Sequence, residues 1–110
     1  MNKRLHFVSN LVPLILSGEK TVTWRLWDDK DLSVGDILEC IQTENEVQFA
    51  TVHVVGTLEK PLGSLTEEDK LRHEKFSSDS EMYQTYTRYY SRPVDENTLV
   101  KIVWFELVKK

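Results

Sequence analysis

Gly18 separates two hydrophobic patterns that cannot belong to one element. Before it runs a short apolar stretch, Leu11 to Leu16. Asn10 caps this stretch as a helix, and Pro13 is tolerated in its first turn. Gly18 then ends the helix, since glycine enters the left-handed region at little cost. From Thr21 the period falls to two, with Val22, Trp24 and Leu26 on one face and Thr21, Thr23 and Arg25 on the other. A chain that changes period this abruptly must turn a helix-to-strand corner, and its strand has one apolar and one polar face.

The corner holds more chemistry than a turn requires. Lys20, Thr21, Thr23, Trp24 and Arg25 fall within six consecutive positions, whereas a glycine and a few turn-tolerant residues suffice to reverse a chain. The surplus points to the floor of a small recognition site, of a kind suited to a base or nucleoside. The bland reading is that Lys20 and Arg25 are solvated charges beside a turn and that Thr23 is a β-branched residue on a polar strand face.

The remaining chain supplies a sheet and further helices. A first strand is expected at His6 to Val8, another at Ile37 to Gln42, and a long one from Val47 to Val55, the last two forming a hairpin around Thr43 to Glu46. Gly56 bends or ends that strand before Pro61. Thr66, followed three residues later by Asp69, opens a helix running to about Lys75. Asp79 or Ser80 caps another over Glu81 to Tyr90, where Met82 and Tyr86 return at helical spacing and which Pro93 closes. The final stretch, Thr98 to Val108, is apolar on both faces and suits a central or barrel-closing strand. Trp24 and Trp104 are assigned to the core, and Trp27, beside the charged loop Asp28 to Asp31, to the surface.

At 110 residues the chain fits one domain, 1–110, with an ordinary core. Its single cysteine, Cys40, excludes an internal disulfide and reads as a buried thiol, and a cytoplasmic setting is the default. The apolar run at Leu11 to Leu16 is too short and too interrupted for a signal peptide or a membrane span, so no membrane partner is expected. The net charge of -4 argues against gripping a long duplex by whole-molecule charge, while leaving room for a local basic patch. His6, His53 and His73 lack companions at ligand spacing, and the four glycines are dispersed, so neither a metal site nor a phosphate-cradling loop is expected, and no cofactor is called for.

The order of elements, together with Gly18-Glu19-Lys20-Thr21, Arg25, Val34-Gly35-Asp36, Glu74-Lys75-Phe76 and the closing Val100-to-Leu107 strand, resembles an ASCH domain. The resemblance covers about Phe7 to Leu107. It implies an α+β fold: a small PUA-like β-barrel of about five to six mainly antiparallel strands, with two to three short helices covering a cleft. It also implies recognition of RNA, single-stranded or structured, or of a small modified nucleoside. Part of the pattern is similar to bacterial amidohydrolases that deacylate N4-acetylcytidine and carry a Lys-x-x-Thr pair with a glutamate. Lys20 and Thr23 match the pair, and Glu74 matches the carboxylate if one residue is inserted after Leu65.

Two functions use this corner differently. In an amide hydrolase Thr23 is the nucleophile, Lys20, made less basic by burial, takes its proton, Glu74 manages the proton on the leaving nitrogen, and Arg25 stabilises charge. In a regular strand Lys20 and Thr23 would face opposite ways, so the turn at Gly18 must place Lys20 before the strand begins. In a binding module, Thr21, Thr23 and Arg25 contact base edges or phosphates, Trp27 or one of Tyr86, Tyr89 and Tyr90 stacks on a base, and Arg88 and Arg92 contact phosphates. A protein-interaction domain docking through its acidic surface is a third possibility.

Overall fold

A computed structural model describes residues 3–27, 30–71, 73 and 76–108. Asp28, Asp29, Glu74 and Lys75, which fall within stretches singled out in the sequence, lie outside the described residues. The elements in order are β1 (Lys3–Phe7), α1 (Val12–Ser17), β2 (Val22–Leu26), β3 (Ile37–Gln42), β4 (Val47–Pro61), α2 (Glu67–Lys70), α3 (Asp79–Tyr90) and β5 (Leu99–Leu107), with 3-10 turns at Ser9–Leu11 and Leu62–Ser64.

The five strands form one sheet in the order β1-β3-β4-β5-β2. All neighbours are antiparallel except β1 and β3, which run parallel from Lys3 opposite Leu38 to Phe7 opposite Gln42. The sheet is an open half-barrel whose two edges are β1 and β2. Strand β4 is 15 residues long and passes through a bulge between Val54 and Gly56. A Cβ at Gly56 would lie 3.3 Å from the Trp104 ring, so the glycine lets β5 approach the bulge closely. The bulge lets one strand pair with β3 along its first half and with β5 along most of its length, which curls the sheet.

Alternation on the curled sheet produces two cores. Leu5, Phe7, Leu38, Cys40, Val52, Val54, Val103 and Phe105 share one face with Leu11 and Ile15. Val22, Trp24, Leu26, Val100 and Ile102 share the other with Met82 and Tyr86 of α3. Strand β5 is thus buried on both sides, as its composition requires. The expected polar face of β2 is covered too: Thr23 is 7% exposed and Arg25 only half-exposed, because the half-barrel folds its other edge toward them.

Three helix boundaries differ from the sequence reading. Asn10 makes no capping hydrogen bond; a 3-10 turn precedes α1, with Pro13 in the first helical turn, where a missing N–H costs nothing. The cap of α3 is Ser78 rather than Asp79 or Ser80, its hydroxyl accepting the Glu81 N–H at 3.1 Å. The helix opened by Thr66 has the full reciprocal cap with Asp69 but stops at Lys70, where Leu71 turns extended. Among the described residues, no helix is long and apolar enough to cross a membrane.

Candidate functional site

The corner between α1 and β2 is built as its sequence demands. Gly18 terminates α1 at φ +83°, its N–H donating to Ile15 O, and the chain returns so that the Lys20 N–H donates to Leu14 O at 3.0 Å. Lys20 therefore precedes the regular strand. Its side chain is 2% exposed, and Nζ donates to the Val22 carbonyl at 2.7 Å. A lysine is rarely buried to this degree, because withdrawing an ammonium from water costs several kcal/mol. Nζ is thereby brought to the carbonyl of the residue next to Thr23.

That carbonyl lies on the open edge of β2. In an antiparallel pair, residues alternately turn both main-chain groups toward the neighbour and away from it. The Phe105 N–H donates to Thr21 O, so the odd-numbered residues of β2 face β5. The even-numbered residues, Val22, Trp24 and Leu26, then present N–H and C=O to the free edge. Lys20 caps this edge at Val22, and the Tyr90 hydroxyl caps it at Leu26, accepting the Leu26 N–H at 3.1 Å. Between the two caps stands Trp24.

A cleft of about 320 Å³ opens along this seam. Its walls come from both sheet edges, with His6 and Phe7 of β1 opposite Thr23, Trp24 and Arg25 of β2, and from Tyr86, Tyr89 and Tyr90 of α3 and the buried ring of His73. The His73 imidazole lies flat on the Trp24 indole, with centroids 3.7 Å apart and planes within 12°. Two side-chain donors of these wall residues, Trp24 Nε1 and Arg25 Nε, are buried with no hydrogen-bond partner among the described residues. An orphaned donor costs about 1–3 kcal/mol, so such groups are kept where something else meets them. At the mouth, His6 Nε2 and a Glu46 carboxylate oxygen are 2.7 Å apart.

The sequence candidates divide accordingly. Thr23, Arg25 and Tyr89 line the cleft, whereas Lys20 is buried outside its lining with Nζ on the carbonyl of Val22, the neighbour of Thr23. Thr21 is anchored just before β2 by its carbonyl. Trp27 is 39% exposed, but the Arg92 guanidinium lies 3.9 Å above its ring and Tyr90 meets it edge-on, so one face is already covered. Arg88 lines a separate depression with Tyr83 and Thr87 on α3. Glu74 lies outside the described residues. Trp24 is in the core as assigned, yet also forms the cleft wall, a dual position that strand periodicity cannot express. His73 was weighed only as a metal ligand; its stacking on a residue distant in sequence leaves no local signature. Among the described residues, no group of three or more His, Cys, Asp or Glu side chains is placed to hold a metal ion. Cys40 is no alternative nucleophile, since burial pushes its thiol up to about 12.

No family model matches the chain. Among curated proteins, the N(4)-acetylcytidine amidohydrolase of Citrobacter koseri is 45% identical over 53 residues, which is 48% of this chain and 52% of that enzyme. The match thus spans about half of each protein. Solved structures agree in fold over nearly the whole chain. An ASCH domain from Lactobacillus crispatus superposes with TM-score 0.72 at 13% identity, covering 96% of this chain and 78% of that one. An Enterococcus faecalis protein reaches 0.82 at 17% identity, covering 98% and 80%, and the ASCH protein of Zymomonas mobilis 0.69 at 12%, covering 94% and 65%. The chain has the fold of the ASCH domains.

Proposed function

We propose that this ASCH-fold chain binds a modified nucleoside in the seam cleft and hydrolyses an amide on its base, acting on N4-acetylcytidine or a close analogue. The observation that carries the reading is the burial of Lys20 with Nζ at the carbonyl adjacent to Thr23, a cleft-lining residue. The similarity to an N(4)-acetylcytidine amidohydrolase supports it. The cleft volume falls within the range of small-molecule sites. Ion pairs of Lys3, Arg4, Lys60 and Lys70 with nearby carboxylates leave these cations poorly disposed to track a phosphate backbone. This favours a nucleoside over a long RNA strand.

In this mechanism Lys20 reacts as the neutral amine: Thr23 Oγ1 attacks the acetyl carbonyl carbon while its proton passes to the Nζ lone pair, leaving Lys20 as the ammonium. Arg25 at the cleft wall stabilises the oxyanion. The C–N bond breaks as the exocyclic nitrogen gains a proton, releasing cytidine, and water then hydrolyses the threonyl ester to acetate. Glu74 is the sequence candidate for handling the proton at nitrogen. Acetate release from N4-acetylcytidine tests the assignment. Lys20→Ala and Thr23→Ala are each expected to slow turnover by about 10²-fold or more. Wild-type protein that releases no acetate refutes the hydrolase, and undiminished turnover by Lys20→Ala removes that lysine from the chemistry.

A further inference from the structure

We propose that Trp24 is the specificity-determining residue of the seam cleft, reading the polar edge of a pyrimidine through its main-chain N–H and C=O and its indole N–H. The proposal rests on the nucleoside reading of the cleft and adds to it the residue that selects the base.

Three observations converge on Trp24. First, the alternation of β2 turns its main-chain N–H and C=O off the free edge of the sheet, and Trp24 is a wall residue of the cleft. Second, the edge is closed on either side, at Val22 by Lys20 and at Leu26 by Tyr90. A free sheet edge ordinarily invites another strand. Here the caps interrupt the ladder two residues to either side of Trp24, at the next outward-facing position each way, which leaves room for a single planar partner. A nucleobase fits that description; an extended peptide does not. Third, the indole Nε1 is a buried donor with no partner among the described residues, on a residue only 4% exposed. The stack against His73 holds the ring in one orientation, so this donor is preorganised.

Together these groups are two donors and one acceptor. Their complement is an edge with two acceptors and one donor. Cytosine offers O2, N3 and an N4–H, and keeps one N4–H after acylation; uracil offers O2, O4 and N3–H. Guanine has the inverse pattern, with two donors and one acceptor on its pairing edge. A site that buries donors rejects a ligand that cannot satisfy them more strongly than it rejects a difference in apolar shape.

The test uses the intact chain labelled with 15N and titrated with cytidine, uridine and guanosine; cytidine is a product of the proposed reaction and is not consumed. The Trp24 indole N–H signal is assigned by its absence in Trp24→Phe. Saturable movement of that signal with cytidine, little movement with guanosine at equal concentration, and cytidine binding about tenfold weaker in Trp24→Phe are expected. Should the variant fail to fold, 3-deazacytidine, which lacks the N3 acceptor, is expected to bind wild-type protein about tenfold more weakly than cytidine. Cytidine that saturates and shifts the amides of His6, Thr23 and Thr43 while the Trp24 indole stays still overturns the proposal and leaves the nucleoside reading standing. Equal binding of guanosine and cytidine also overturns it. If no nucleoside shifts any cleft signal, both readings fall.

Discussion

Replacing Tyr90 by phenylalanine removes one oxygen atom and tests the edge-capping arrangement on which the site depends. The phenol accepts the Leu26 N–H at 3.1 Å, while its ring stacks on Tyr86 at 6.3 Å between centroids and meets Trp27 edge-on at 5.5 Å. Phenylalanine keeps both ring contacts, so the variant isolates the hydrogen bond. Losing a neutral hydrogen bond costs roughly 0.5–1.5 kcal/mol, and leaving its partner unsatisfied in a buried place costs about 1–3 kcal/mol. The bond is only part-buried, and the phenol that makes it stands at the cleft wall, so the lower part of that range applies, about 1 kcal/mol. For a chain of this size that is a fall of about 4 °C in Tm. Urea denaturation gives the free energy, and amide hydrogen exchange gives the location. Leu26 is expected to exchange faster in the variant than global destabilisation explains, because its N–H faces away from β5 and has lost its partner. Stability unchanged within about 0.3 kcal/mol, together with unaltered Leu26 exchange, refutes the edge assignment for β2 and with it the placement of the Trp24 main chain.

Two further outcomes follow from groups outside the cleft. Burial opposes ionisation of Asp69, but the Lys60 ammonium at 2.6 Å and the Thr66 N–H and hydroxyl outweigh it and hold the carboxyl below its ordinary 3.8. A depressed folded pKa stabilises the protein above the unfolded value, and that stabilisation is lost as pH falls through the folded one. Asp69→Asn is therefore expected to cost about 1–2 kcal/mol at pH 7 and to close on wild type below about pH 4, as read by urea titration at each pH; an equal gap at both contradicts the ion pair's role. Cys40, fully buried with its thiol pushed up to about 12, is expected to resist alkylation at pH 8 in native protein and to react at once in denaturant. Rapid native labelling would place it outside the core.

Much of the architecture was legible because it depends on local chemistry. Ile37 to Gln42 is strand over the expected range, Gly18 ends α1 in the left-handed conformation, and Thr66 with Asp69 forms the reciprocal cap that their spacing specifies. Lys20 stands ahead of β2, a placement that the hydrolase reading of the resemblance required, since residues three apart in a regular strand face opposite ways. Local signals failed where competing partners lay nearby. Ser78, rather than Asp79 or Ser80, caps α3, since several capping residues in succession are equivalent until the helix axis is set by Met82 and Tyr86 packing on β2 and β5.

The sequence by itself determined the corner: an apolar turn of helix, a glycine stop, and a strand whose even-numbered residues are apolar. Periodicity assigns a side chain to a face, and Trp24 was accordingly placed in the core. Only the tertiary structure decided that β2 is an edge strand, that Lys20 and Tyr90 cap that edge on either side of Trp24, and that His73 seals the indole with its donor unspent. Which strand ends at an edge depends on how all five pair, and such pairing joins residues far apart in the chain. The direction of a main-chain N–H relative to a neighbouring strand has no counterpart in residue identity, so the groups best placed to select a ligand could not be read before the sheet was assembled.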